Sequence, residues 1–206
     1  MEIFKDVEQG SEKWMEIRAW VLTGTKLGWI IWWEKAQQTM IFQLIWEEFA
    51  PIEDWYKSFA MQRWNEMEPI ARAKYIELTW EKVKEVWFIK KNSFLGLSPD
   101  WVIYNWEIIR KAIEIKSPWA KNHTKYILED KIPEEYLRQI VMYFVVISEL
   151  EEIDFISYNW EFYIKSKQLW IKNIKREDLI KEIEEAQKRI ITFREKWLKY
   201  IKKLIS

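Results

Sequence analysis

Hydrophobic and polar positions along this chain run at helical spacing, then alternate, then return to helical spacing. Residues 11–19 (SEKWMEIRA) read as a short helix, with Ser11 placed to accept from N–H groups that the first turn leaves unpaired. Thr23-Gly24-Thr25 opens a second helix running into the 30s, and residues 36–49 are apolar at helical spacing. Residues 58–78 form a long helix pattern in which Pro69 predicts an interruption, because proline has no N–H to donate. A run of strands follows, at 83–89, 93–98, 101–104 and 108–116. Residues 117–131 read as a loop, and Pro133 sits in the first turn of a strongly apolar helix over 133–149. Residues 153–158 and 161–169 are further strand candidates. Over 176–206 the apolar positions Ile183, Ala186, Ile190, Phe193, Trp197, Tyr200 and Leu204 alternate steps of three and four, which marks one long helix.

Helices, a β-rich middle and more helix predict an α/β architecture, with a central mixed sheet flanked by helices. The expected organisation is one domain over 1–170 and a C-terminal amphipathic helix over 171–206, packed on that domain or on a neighbouring subunit. Basic residues outnumber acids in that helix, and the plain reading is a solvated face with the apolar stripe buried.

Composition narrows the chemistry. There are no cysteines, which excludes disulfides and thiolate metal sites and fits a cytoplasmic protein. The N-terminus lacks the apolar stretch of a signal peptide, and no apolar run is long enough to span a membrane. Any metal must be held by oxygen ligands or by the single histidine, His123. Formal net charge is zero, so a nucleic-acid surface must come from local arrangement rather than from overall charge.

One ratio is unusual: 16 Trp against 4 Gly. At an ordinary frequency of about 7%, a chain of this size carries roughly 14 glycines. Asn105-Trp106 lies between two strand patterns, where Asn-Gly makes a tight hairpin turn. Thr79-Trp80 follows a helix pattern, where glycine commonly supplies the left-handed cap. Asp100-Trp101 falls where a tight turn is expected. These positions predict glycine, with UGA codons read as tryptophan. Trp20, Trp64, Trp80, Trp101, Trp106 and Trp119 are the suspects. The segment Trp29-Ile-Ile-Trp32-Trp33 reads as core and turn positions rather than as a base-stacking platform.

The candidate chemistry lies in SPDWVIYNWEIIRKAIEIKSP. Period two in AIEIK puts Glu114 and Lys116 on one face of a strand, with Ile113 and Ile115 on the other. Taken alone, that pair reads as an exposed ion pair. Asp100 changes the reading, because a hairpin at Asn105-Trp106 folds its strand back beside Glu114. Two carboxylates and the Ile115 carbonyl make a hard oxygen site suited to Mg²⁺, with Mn²⁺ as the alternative. Lys116 stands ready to position and help deprotonate an attacking water, and phosphodiester cleavage is what such a site offers. Glu68, in NEMEPIAR, is a third acid able to complete the metal shell; an isolated helical glutamate is more commonly solvated. His123 reads as a loop histidine, more often a surface residue than a ligand.

With these residues in place, the chain resembles the YqaJ-like viral recombinase and lambda-type exonuclease family, a branch of the PD-(D/E)XK nucleases. The resemblance covers 9–160 and is carried by QGSEKWMEIRAWVLTGTKLG, MQRWNEMEPIARAKYIELTW, LGLSPDWVIYN, AIEIKSP, IPEEYLRQIVMYF and DFISYN. It implies that Asp100 and Glu114 bind metal, that Lys116 is the catalytic lysine and that Glu68 assists. It implies that Arg18 and Thr25 contact a terminal DNA phosphate and that Gln139 lies near the active site. It further implies 5′→3′ action on double-stranded DNA ends in phage-type recombination, a trimeric homo-oligomer around DNA, and a single-strand annealing partner protein. Two departures stand out. Val141 occupies the place of the family's second glutamine, and Trp20, Trp64, Trp80 and Trp101 stand where the family has glycine. The competing readings are a Cas4-like or restriction-type nuclease on the same core, and a catalytically inactive DNA-binding homologue. The absence of cysteines argues against the Cas4-like form, which usually carries an iron–sulfur cluster.

Overall fold

The computed structural model describes residues 1–7, 10–32, 34–49 and 59–206, without the side chains of 29, 31–35 and 59–65. The expectations for Trp29, Trp32, Trp33 and Trp64 fall outside these described side chains.

The chain opens with strand β1 (Glu2–Phe4) and helices α1 (Glu12–Arg18), α2 (Gly24–Trp32), α3 (Glu34–Phe49) and α4 (Phe59–Thr79). Strands β2 (Phe88–Lys90), β3 (Gly96–Leu97), β4 (Trp101–Asn105) and β5 (Ile108–Lys116) follow. Helices α5 (Ala120–Glu129) and α6 (Glu134–Val146), strands β6 (Glu152–Tyr158) and β7 (Leu169–Lys175), and helix α7 (Ile180–Ile205) complete it. The first three strands form one antiparallel sheet, and β4-β5-β6-β7 form the central one. In the central sheet β5 and β6 are parallel while both outer pairings are antiparallel, so the sheet is mixed as expected.

Both faces of the central sheet are buried. Val102, Ala112, Ile153 and Phe155 share a core with α6 and α7. Trp101, Ile103, Ile113, Ile115, Ile156 and Tyr158 pack with Ala71 and Tyr75 of α4 on the other side. A polar clamp holds α4 in place: the Tyr75 hydroxyl donates to Asp154 Oδ2 at 2.7 Å, and Lys111 Nζ reaches the same oxygen at 3.1 Å. Glu68 lies about two helical turns before Tyr75, so this clamp also sets where Glu68 sits. The apolar stripe of α7 is buried through Ile183, Ala186, Ile190, Phe193 and Trp197, packed on the body of the chain.

Several expected elements differ. Residues 117–131 are not a loop; α5 forms there, and its buried positions are His123 and Tyr126. Two polar-edged residues at helical spacing leave no apolar stripe to read. The 161–169 segment is not a strand. The Gln168 amide donates to the carbonyls of Trp160 and Phe162 at 2.7 and 2.9 Å, which curls the chain, and β7 starts only at Leu169. The strand patterns at 83–89 and 93–98 shorten to Phe88–Lys90 and Gly96–Leu97. Helix α4 continues through Pro69, which lies on its exposed side, so the lost bond does not fall in the core.

The backbone conformations bear on the tryptophan excess. Four non-glycine residues among those described have positive φ: Trp20 at 50°, Trp80 at 58°, Trp106 at 56° and Asp130 at 46°. For an L-residue this region costs about 1–2 kcal/mol, because Cβ crowds the following carbonyl. Trp101 does not sit in a tight turn: it begins β4, is nearly buried and pairs with Ile113.

Candidate active site

The sheet register assembles the site. Trp101 pairs with Ile113, which places Asp100 opposite Glu114 at the end of the β4-β5 ladder. Lys116 pairs with Ser157 of β6 at the same end. The Ile115 N–H donates to Asp100 Oδ2 at 2.6 Å, locking the aspartate onto β5. Glu114 is only 1% exposed, so it is not part of a half-exposed surface strand. Its carboxylate takes three partners: the Lys116 ammonium, the Tyr143 hydroxyl, and the Gln139 amide at 2.8 Å.

The electrostatics follow from burial and like charge. Burial pushes Asp100 well above the usual carboxylate range, and neighbouring Glu114 pushes it further. Burial pulls the Lys116 ammonium down, but Glu114 and Asp100 together hold it above its ordinary value. The ammonium also faces the Tyr136 ring, 5.2 Å from its centroid. With both carboxylates ionised the site would carry one net negative charge beside the Lys116 ammonium, and the same crowding that raises Asp100 is what a divalent cation would relieve. The donor set is all oxygen: Asp100, Glu114 and the Ile115 carbonyl fit Mg²⁺ by chemistry.

Glu68 is near but engaged elsewhere. The Trp101 indole N–H donates to its Oε1, and the Arg72 guanidinium lies 4.0 Å from the Trp101 ring centroid. Burial raises the Glu68 carboxyl, with the Trp101 hydrogen bond opposing. Among the described residues no group of three or more acidic or histidine side chains is arranged to hold a metal. The Trp101 indole engages one of the two Glu68 oxygens.

Arg18 and Thr25 sit at a neighbouring corner. Arg18 ends α1, and burial lowers its guanidinium to about 10, with Glu47 opposing. Glu47 also takes Lys26 Nζ at 2.8 Å and the Trp20 N–H at 3.1 Å. Thr25 is exposed in the first turn of α2. That turn approaches α6 closely: a Cβ on Gly24 would meet Gln139 Cγ at 3.1 Å. Gln139 thus lies between the start of α2 and Glu114.

Two residues were missed in the sequence. Tyr143 donates to Glu114, and the Asp100 N–H donates to the same phenol oxygen. Tyr136 faces Lys116. Gln139 and Tyr143 are four apart on α6 and so share a face, which is the signal that was available. His123 is corrected: it is fully buried on α5, not a loop residue. Its Nε2 donates to the Lys167 carbonyl and its Nδ1 accepts from Ser157 Oγ, both at 2.8 Å.

Known proteins resemble this chain in sequence and in fold. The model of the YqaJ-like viral recombinase domain matches residues 13–150. The alkaline exonuclease LHK-Exo from Laribacter hongkongensis is similar at TM-score 0.77 and 28% identity, over 95% of this chain and 98% of that one. Its complex with dAMP matches at TM-score 0.76, with the same identity and coverage. A phage-related exonuclease from Haemophilus somnus shares the fold at TM-score 0.66 and 14% identity, over 88% of this chain and 96% of that one. No curated protein matches the chain. The shared architecture is the PD-(D/E)XK fold.

Proposed function

The chain belongs to the YqaJ-like viral recombinase family, and from that premise we propose that it is a Mg²⁺-dependent 5′→3′ exonuclease acting on double-stranded DNA ends in phage-type recombination. The observation that carries this reading is the gathering of the Asp100 and Glu114 carboxyl groups and the Lys116 ammonium at one end of the central sheet. Similarity to proteins named as exonucleases supports it.

Asp100, Glu114 and the Ile115 carbonyl are the groups that would hold the metal. When bound, the ion supplies a water of lowered pKa and stabilises charge on the phosphate. Gln139 and Tyr143 fix the Glu114 carboxylate from α6, so its oxygens stay aimed at the strand ends. Lys116 is held above its ordinary value and is therefore a cation at neutral pH. In this geometry it donates to a water or a phosphate oxygen and orients it for in-line attack. Arg18 and Thr25 would receive the terminal phosphate, near the N-terminal end of α2, whose dipole favours an anion. A homotrimer around DNA, a single-strand annealing partner and a cytoplasmic location belong to the same reading, by family resemblance. Among the described residues no helix is long and apolar enough to cross a membrane.

One observation favours a second reading. The Trp101 indole stands beside Asp100 and holds Glu68, so the chain as written is suited to a catalytically silent DNA-binding member.

The test uses linear duplex DNA with a 5′-phosphate, Mg²⁺, and Lys116→Ala as control. A second chain carries glycine at 20, 64, 80, 101, 106 and 119. End-dependent degradation that Lys116→Ala lacks is expected. Equal degradation of closed circular DNA overturns the exonuclease reading, and no degradation by either chain leaves the silent member.

A further inference from the structure

Sixteen tryptophans occupy this chain, and the structure sorts the describable ones by what surrounds them. Trp14 is 1% exposed inside α1, and its indole N–H reaches the Trp87 carbonyl. Trp197 is buried in α7, its ring centroid 5.1 Å from that of Phe94. Such positions need a large apolar side chain. Trp80 and Trp106 are the reverse: 88% and 94% exposed, each with positive φ. Neither indole gains burial, and both backbones sit where L side chains are disfavoured.

Each left-handed tryptophan also stands where glycine has a defined use. Trp80 directly follows α4, and its N–H closes onto the Ile76 carbonyl at 2.8 Å, the bond of a left-handed helix cap. Trp106 is the first residue of the two-residue turn Trp106-Glu107 between β4 and β5, and its positive φ at that first central position is what glycine supplies in a tight hairpin. Trp20 follows α1, and its left-handed turn aims its N–H at Glu47 Oε2, beside Arg18. Three of the four left-handed non-glycine residues among those described are tryptophan, a residue with no special tolerance of that region. The fourth, Asp130, is of a type that does tolerate it.

We infer that the gene for this chain specifies glycine at positions 20, 80 and 106, through UGA codons that its own translation system reads as glycine. The inference does not rest on the nuclease reading: it stands on backbone conformation at all three positions, joined by exposure at 80 and 106, while the Trp20 ring is half-buried against the core. It goes beyond composition by separating these three from tryptophans that the fold requires. Trp101 is not among them on this criterion, since its backbone is extended and its ring nearly buried.

The codons decide it. UGA is expected at 20, 80 and 106, and UGG at Trp14 and Trp197. UGG at any of the first three overturns the inference, as does UGA at either of the last two. Peptide masses from the protein made in its own cells should show glycine at the three positions; tryptophan there overturns it equally. A third readout needs no source material. The triple variant Trp20→Gly, Trp80→Gly, Trp106→Gly should melt at a higher temperature than the chain as written, whereas Trp14→Gly should melt lower. A triple variant that melts lower contradicts the assignment.

Discussion

The Tyr143 hydroxyl donates to Glu114 while accepting from the Asp100 N–H, so one phenol on α6 ties together the two strands that carry the acids. Tyr143→Phe keeps the ring and removes both bonds. Stability should fall by about 1–3 kcal/mol, because a buried donor loses its partner. The larger effect should be on metal use, where loss of a group supporting a ligand costs about 10–100-fold. A Mg²⁺ titration of the cleavage rate checks this; an unchanged Mg²⁺ requirement would show that Gln139 and Lys116 hold Glu114 without help.

Tyr136 presents its ring to Lys116 at 5.2 Å. Ring–ammonium attraction is worth about 0.5–2 kcal/mol depending on desolvation. Tyr136→Leu should therefore slow cleavage several-fold, while Tyr136→Phe stays close to the parent. Equal losses in both would assign the effect to the hydroxyl instead.

Glu68 has its carboxylate occupied by the Trp101 indole. Trp101→Gly removes that donor and opens space toward Asp100. Tighter Mg²⁺ binding and faster cleavage are expected, and adding Glu68→Gln should erase the gain. Calorimetry of Mg²⁺ binding separates this from a change in DNA affinity. If Trp101→Gly binds Mg²⁺ as the parent does, Glu68 is not a ligand.

His123 gives a pH dependence to folding. Burial lowers its pKa below the ordinary value of about 6.5. The unfolded chain then binds a proton before the folded one does, so stability is full above that pH and falls as the pH drops toward the lowered folded value. Urea midpoints between neutral pH and the acid side should decline, and His123→Asn should flatten that slope. A slope of equal steepness in the variant would assign it to other groups.

Much of the site was legible because strand geometry is simple. Period two put Glu114 and Lys116 on one face, and a hairpin, expected at Asn105-Trp106 and found one residue later at Trp106-Glu107, brought Asp100 opposite Glu114. The long helix over 176–206 was also readable, since its stripe repeats for seven positions. Helix α5 was not, because its buried side chains are a histidine and a tyrosine, which carry no apolar signature. Nor was the turn before β7, which depends on one glutamine side chain bonding backbone eight and six residues away.

The order of turns, the alternation in β5 and the residue types that bind a hard cation lie in the sequence alone, because they depend on neighbours a few positions apart. The engagement of Glu68 by Trp101, the clasp of Tyr143 on Glu114 and the burial of His123 were decided by tertiary structure. Each joins elements separated by tens of residues, and only packing of helices on a sheet sets the distance and the desolvation that give such contacts their effect.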